Sequence, residues 1–386
     1  VSNHTIFAGR ILTLGLLLAM LAACTPVRDA TAPGAESYRI VGYVFGNRNL
    51  DFRRLGAHKL THINYAFANV VDGAAQLVGD DDAANLARLQ ALKAHHPALK
   101  ILVSIGGWAW SENFSDAALT DTSRARFARS AVDLLNTYAL DGIDVDWEYP
   151  GQQGEDNVYR PEDRQHFTLM LKALREHLDA QGAQDGRTGA DRYLLTIATG
   201  ASATYLEHTE LGEAQRYLDF VNIMTYDFAG SWSETTGHHT NLYPSKAAGA
   251  PARAASTEVE RHLQAGVPAR KLVLGVAFYG RGWAGVHNAQ DGLFQSYTRA
   301  TQGFSFQRLR AEFVDKNGYR RHWDDAARAP YLWHPDSTHF ITYDDEESLR
   351  HKTDFVKARG LGGVMYWQHG SDPDERLLDV LYRHLR

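Results

Sequence analysis

The sequence predicts an α/β protein: a closed (β/α)8 barrel with a small α+β insertion between its seventh and eighth strands. Three observations predict it. A short β-branched, apolar run followed by a Gly-rich or aromatic loop and then a helical stretch recurs eight times. The stretches between the runs carry apolar residues at helical spacing. The interval between the seventh and eighth runs is far longer than one crossover helix needs.

The runs are "YRIVGYVF" near residue 38, "THINYAFANV" near 61, "KILVSIGG" near 100, "DGIDVDWE" near 141, "YLLTIATG" near 193, "DFVNIMTYD" near 219, "KLVLGVAFYG" near 271 and "LGGVMYWQ" near 361. Between the fourth and fifth, "RQHFTLMLKALREHLDA" sets Phe167, Met170, Leu171, Leu174 and Leu178 on one helical face. Strands that alternate with helices pair in parallel, and eight such units suit a closed barrel. An open doubly wound sheet is the alternative, but it would normally show an early glycine-rich phosphate turn, and none is evident. In the long interval one crossover helix fits at 346–359. The surplus, 284–342, holds a helix-like "QRLRAEFVDKN" and strand-like "PYLWH" and "HFITY", which reads as an α+β insertion rising beside the carboxyl face of the barrel.

The chain has 386 residues, enough for one large domain, and a net charge of −6. Its positive charges are scattered, which argues against nucleic acid as a partner. Residues 1–23 read as a signal peptide: Arg10 precedes the apolar run "ILTLGLLLAMLAA", too short for a comfortable membrane span. The run ends at Cys24, the only cysteine, so no disulfide can form within the chain. "LAAC" resembles a bacterial lipoprotein signal, in which that cysteine is lipidated. The reading is an exported protein anchored to a membrane through Cys24 and facing the periplasm or cell surface, with an ordinary secreted protein as the alternative. Residues 24–37, small and polar with two prolines, read as a tether before a catalytic unit over 38–386. A monomer is expected.

In "LDGIDVDWEYP", Asp144, Asp146 and Glu148 are spaced by two. In a strand they share one face while Ile143, Val145 and Trp147 share the other. If the acidic face looks into a barrel, the three carboxylates crowd one another, and at least one has its pKa raised, as a general acid near neutral pH requires. A Mg or Ca site is the rival use of clustered carboxylates, although no further acid or His is spaced to complete a shell. The carboxyl ends of the other strands bring Tyr43, Phe67, Ser104 to Trp108, Tyr226, Asp227, Tyr279, Arg281 and Trp367 to the same mouth. Acids beside flat aromatic rings suggest a carbohydrate cleft, since paired carboxylates serve glycoside hydrolysis.

"DGIDVDWEYP" resembles the signature of glycoside hydrolase family 18, the chitinases, whose pattern is Asp-Gly-x-Asp-x-Asp-x-Glu. "SIGGW" at 104–108, "MTYDF" at 224–228, "YGRGW" at 279–283 and "GVMYWQ" at 363–368 are similar to further motifs of that family. The piece before the eighth strand is similar to the chitinase insertion domain of its deep-groove bacterial subfamily. The resemblance covers 38–386. It implies retaining hydrolysis of β-1,4 links in chitin and chitooligosaccharides, with no cofactor and with the nucleophile supplied by the substrate. Glu148 would protonate the leaving oxygen and Asp146 would steady the acetamido group, with Asp144 behind it. Tyr226 would donate to the acetamido carbonyl, and Asp227 would hold the sugar from below. Trp367 would floor the reacting sugar, while Tyr43, Phe67, Trp108, Trp232, Tyr279, Arg281 and Trp283 would line neighbouring subsites. A chitin-binding protein without turnover and an endo-acting enzyme of N-glycans are the alternatives. The acid triad favours turnover, and the insertion disfavours the N-glycan enzyme.

Overall fold

The computed structural model describes residues 38–46, 50–247 and 253–386. The leader read over 1–23, Cys24 and the tether to residue 37 lie outside them. All eight expected runs are strands: β1 (Arg39–Phe45), β2 (His62–Val71), β3 (Lys100–Gly106), β4 (Gly142–Asp146), β5 (Leu194–Gly200), β6 (Phe220–Met224), β7 (Leu272–Ala277) and β8 (Gly363–Trp367). Each pairs in parallel with the next, and β8 returns to β1, which closes the barrel.

Alternation along the strands sorts the side chains. Ile40, Ile63, Tyr65, Ile101, Val103, Ile143, Val145, Ile197 and Ile223 face outward into the main core beneath the helices. Val41, Phe220, Val273, Ala277 and Met365 cluster separately with Tyr43 and Tyr226, the inward set. Helix Asp163–Gln184 buries Phe167, Met170, Leu171, Leu174 and Leu178, the face read from the sequence. Helix Asp121–Thr137 starts in a capping box of Thr120 and Ser123. Among the described residues no helix is long and apolar enough to cross a membrane.

The chain leaves β7 directly into a six-stranded antiparallel sheet, whose path runs Arg299–Ala300, Tyr279–Ala284, His339–Tyr343, Ala329–His334 and Arg320–Asp324, with Phe304–Ser305 also paired to Tyr279–Ala284. "PYLWH" and "HFITY" are two of these strands, and "QRLRAEFVDKN" contributes two short helical turns, Phe306–Arg308 and Leu309–Phe313. The sheet packs around Trp283, Trp333, Tyr331, Phe340 and Leu293. At the seam with the barrel, fully buried Lys352 of helix Glu346–Ala358 meets Asp344 at 2.6 Å. The Asp344 carboxylate also accepts from the Ala277 backbone N–H and the hydroxyls of Thr240 and Ser348.

Candidate active site

The barrel mouth opens into a cavity of about 880 Å³. On its floor lies the acidic face of β4. Asp144, the innermost acid, is fully buried and does not reach the cavity wall. One of its oxygens accepts from the Tyr43 hydroxyl at 2.7 Å and the Ser104 hydroxyl at 2.8 Å. The other accepts from Thr196 at 2.5 Å and Asn222 at 3.4 Å. Burial pushes its pKa up, and these four donors pull the other way without cancelling the rise.

Asp146 and Glu148 do line the cavity. Burial, then the charges of Glu148 and Asp144, hold the Asp146 carboxyl well above the usual carboxylate range, and its Oδ1 is buried with no hydrogen-bond partner among the described residues. Burial also pushes Glu148 up to about 7, helped by the Asp227 carboxylate and opposed by the Tyr149 hydroxyl. Proton-bearing carboxyls near neutral pH are thus built into the row, and Glu148 is the one nearest the mouth.

Asp227 shows the opposite balance. It follows β6 in the left-handed region at φ 57°, which Asp tolerates better than most residues. Its carboxylate accepts from the Tyr279 hydroxyl at 2.7 Å and Arg281 Nε at 2.6 Å, with His239 Nδ1 at 3.5 Å. Burial opposes its charge, but His239 and Arg281 overcome that and hold it far below the ordinary range. Burial keeps the His239 pKa down, so the formal positive charge beside Asp227 is that of Arg281. One anion therefore faces two acids that hold their protons.

Aromatic rings complete the walls. Trp367 stacks on Phe67 with centroids 5.5 Å apart and tilts against Tyr43 at 5.9 Å. A break in the β2–β3 register between Ala66 and Ala68 sets Phe67 at this position. Tyr226 has Met365 Sδ, at 3.8 Å, as the hydrogen-bond partner of its hydroxyl among the described residues. Trp108 and Trp232 stand most open, at 49% and 60% exposure, and the Arg281 guanidinium lies 4.9 Å above the Trp232 ring. The Ala66–Phe67, Glu148–Tyr149 and Trp367–Gln368 peptide bonds are cis, and all three adjoin the cavity wall.

The structure thus brings Asp146, Glu148, Tyr226, Asp227, Trp367, Tyr43, Phe67, Trp108, Trp232, Tyr279 and Arg281 to one cavity, with Asp144 directly behind. Trp283 is the exception and corrects the expectation. Strand alternation would set it beside Tyr279 and Arg281, but it is fully buried in the insertion, donates to the Gly230 carbonyl at 3.3 Å and packs on Tyr297 and Phe340. It therefore supports the loop that carries Trp232 rather than facing a ligand. The sequence reading missed Phe45, Trp110, Tyr149, Met224 and Arg253, all on the cavity wall. Trp110 lies just past "SIGGW", and Tyr149 and Met224 lie inside "DGIDVDWEYP" and "MTYDF", so these three could have been found there, whereas nothing near Arg253 marks it. Among the described residues no group of three or more His, Cys, Asp or Glu is placed to hold a metal ion.

Residues 39–372 match the family Glycosyl hydrolases family 18. Chitinase A1 of Niallia circulans is 40% identical, over 98% of this chain and 63% of its own length, so the chain spans less than two thirds of that relative. Chitinase B of Serratia marcescens is 33% identical over 82% of this chain and 74% of that protein. Among solved structures, a glycoside hydrolase family 18 N-acetylglucosaminidase from Paenibacillus barengoltzii is similar with a TM-score of 0.84 at 45% identity, covering 90% of this chain and 100% of that one. Chitinase ChiA74 from Bacillus thuringiensis is similar with a TM-score of 0.85 at 35% identity, over 90% of this chain and 70% of that one.

Proposed function

The chain belongs to glycosyl hydrolases family 18, and on that premise we propose that it is a chitinase, hydrolysing β-1,4 links between N-acetylglucosamine units with retention at the reacting carbon. The observation that carries this reading is Glu148, held near pKa 7 at the mouth of an aromatic cavity, with Asp146 two residues inward. Glu148 gives its proton to the leaving glycosidic oxygen. The substrate's own acetamido oxygen attacks the carbon thus released, which makes this family an exception to the two-carboxylate scheme. Asp146, sharing charge and protons with Asp144 behind it, steadies the nitrogen of the resulting oxazolinium ring, while Tyr226 donates to the acetamido oxygen. Asp227 accepts from a sugar hydroxyl, and Trp367 stacks beneath the ring. Water activated by Glu148, now a carboxylate, opens the oxazolinium from the vacated face. Two inversions restore the β configuration.

The test is product analysis by NMR on a β-linked chitooligosaccharide. The β-anomer should appear first, and a fully deacetylated oligomer should resist. Initial α-anomer, or efficient cleavage of the deacetylated oligomer, excludes this mechanism. The likeness to an N-acetylglucosaminidase at 45% identity favours a second reading, release of single N-acetylglucosamine units from chain ends. A time course on long oligomers separates the two, since monomer alone from the first minute supports the second.

The piece between β7 and β8 we take as the chitinase insertion domain of the bacterial deep-groove subfamily, spanning 284–342. The leader and Cys24 support export and lipid anchoring, and we take the protein to be a monomer. In that case Cys24→Ala should move the protein from the membrane fraction to the soluble one.

A further inference from the structure

We propose that Ser111 is the positioning residue for the general acid, holding the Glu148 backbone through its hydroxyl. The inference rests on the assignment of Glu148 as the acid. Neither strand neighbour pairs with β4 as far as Glu148: the ladder to β3 ends at Asp146 and the ladder to β5 at Val145. The side chain of the intervening Trp147 is buried on the far side, stacked on Phe114 at 5.4 Å. The acid therefore stands beyond the regular hydrogen bonding that fixes the rest of its strand, at the place where its direction matters most.

Ser111 supplies what the ladder does not. Its side chain is fully buried and outside the cavity wall, in the loop that follows β3. The Glu148 backbone N–H donates to Ser111 Oγ at 2.8 Å, and the hydroxyl proton goes to the Gly107 carbonyl at 2.9 Å, with the Asp146 carbonyl at 3.3 Å as its second neighbour. A serine hydroxyl has one proton to give and two lone pairs to receive with, so both roles are filled without conflict. The same loop is tied to the acid strand a second time, by the Gly107 N–H on the Asp146 carbonyl at 2.7 Å. Gly106 permits this approach: its φ is +109°, and a Cβ there would stand 2.3 Å from that carbonyl. Two hydrogen bonds thus bracket Trp147, one at each neighbour. Remove the hydroxyl and Glu148 keeps its chemistry but loses its aim, and a displacement of about 1 Å can cost up to ~10²-fold in rate.

Ser111→Ala should therefore mimic a damaged acid rather than a damaged fold. The measurement is kcat/KM, which reports the bond-breaking step, on chitotetraose and on an aryl chitobioside whose dinitrophenolate leaves without help from a proton. Expected is a loss of roughly 10- to 100-fold on the oligosaccharide and little on the aryl substrate, parallel to Glu148→Gln, with Ser111→Thr recovering the oligosaccharide rate because it keeps the hydroxyl. Should Ser111→Ala not fold, Ser111→Cys keeps the size with a weaker acceptor and should show the same difference between substrates. Equal losses on both substrates, or none on the oligosaccharide, overturn the assignment. A wild-type enzyme inactive on both would instead remove the hydrolase reading, and the role of Ser111 with it.

Discussion

Asp344, at the seam between barrel and insertion, and Asp146, at the barrel mouth, are buried almost equally, at 1% and 4% exposure. Their surroundings are opposite. Asp344 has an ammonium at 2.6 Å, two hydroxyls and a backbone N–H, so its charge and its lone pairs are matched. Asp146 has two further carboxyls as its titratable neighbours and an oxygen with no partner among the described residues. A buried acid given a cation holds parts of the chain together. One deprived of a cation keeps its proton and can take part in proton chemistry. The molecule uses the same side chain for both ends by changing only what faces it.

The sharpest way to break that contrast is to remove a proton from the acid row. Glu148→Gln should lower oligosaccharide turnover by about 10²–10⁴-fold, the usual worth of a general acid, while binding measured by calorimetry persists. A rate within a few-fold of wild type would take Glu148 out of its role.

On the matched side, Lys352→Met leaves Asp344 buried without its cation, and should cost about 3–5 kcal/mol in urea unfolding. Adding Asp344→Asn should recover much of that loss. If the single variant costs under ~1 kcal/mol, the pair is not the clamp described above.

The smallest effect concerns pH. Glu148 is raised from 4.5 to about 7 on folding, so the folded state binds its proton more tightly than the unfolded one. The stability this gives is fully present below about 4.5 and is lost as pH rises through about 7. Relative to wild type, Glu148→Gln should therefore gain stability between pH 5 and 8, by on the order of 2 kcal/mol, and wild-type kcat/KM should fall above pH 7. A stability difference that is flat over that range would mean that the acid is not held protonated.

Much of this was legible in the sequence because strands announce themselves locally. The period of two put Asp144, Asp146 and Glu148 on one face, and no long-range information was needed to see it. The same rule failed at Trp283. Tyr279 and Arg281 face the cavity, yet two residues on, the strand is covered by the 228–233 loop and by Tyr297 and Phe340, partners that only the folded insertion sheet brings together. Arg253 escaped for a related reason. It reaches the cavity from a loop, its guanidinium donating to the Ala201 carbonyl and lying 5.0 Å over the Phe228 ring, with no periodic pattern around it. Ser111 carries no motif either, and its importance lies in an N–H 37 residues away in the chain.

The seam also has a topological meaning. Ala277, where β7 ends, and Asp344, where the insertion sheet has just ended, are joined by a hydrogen bond of 3.2 Å. The whole excursion leaves and re-enters the barrel through one doorway. A segment whose ends already meet adds little closure entropy however long it grows, so such a doorway is where a barrel can acquire or shed a module without redrawing its own path. Shedding the whole excursion between these two residues would carry off Tyr279 and Arg281, two of the three partners of Asp227. The eight barrel strands pair with one another without help from the insertion, but the cleft would lose the wall that Tyr279 and Arg281 form.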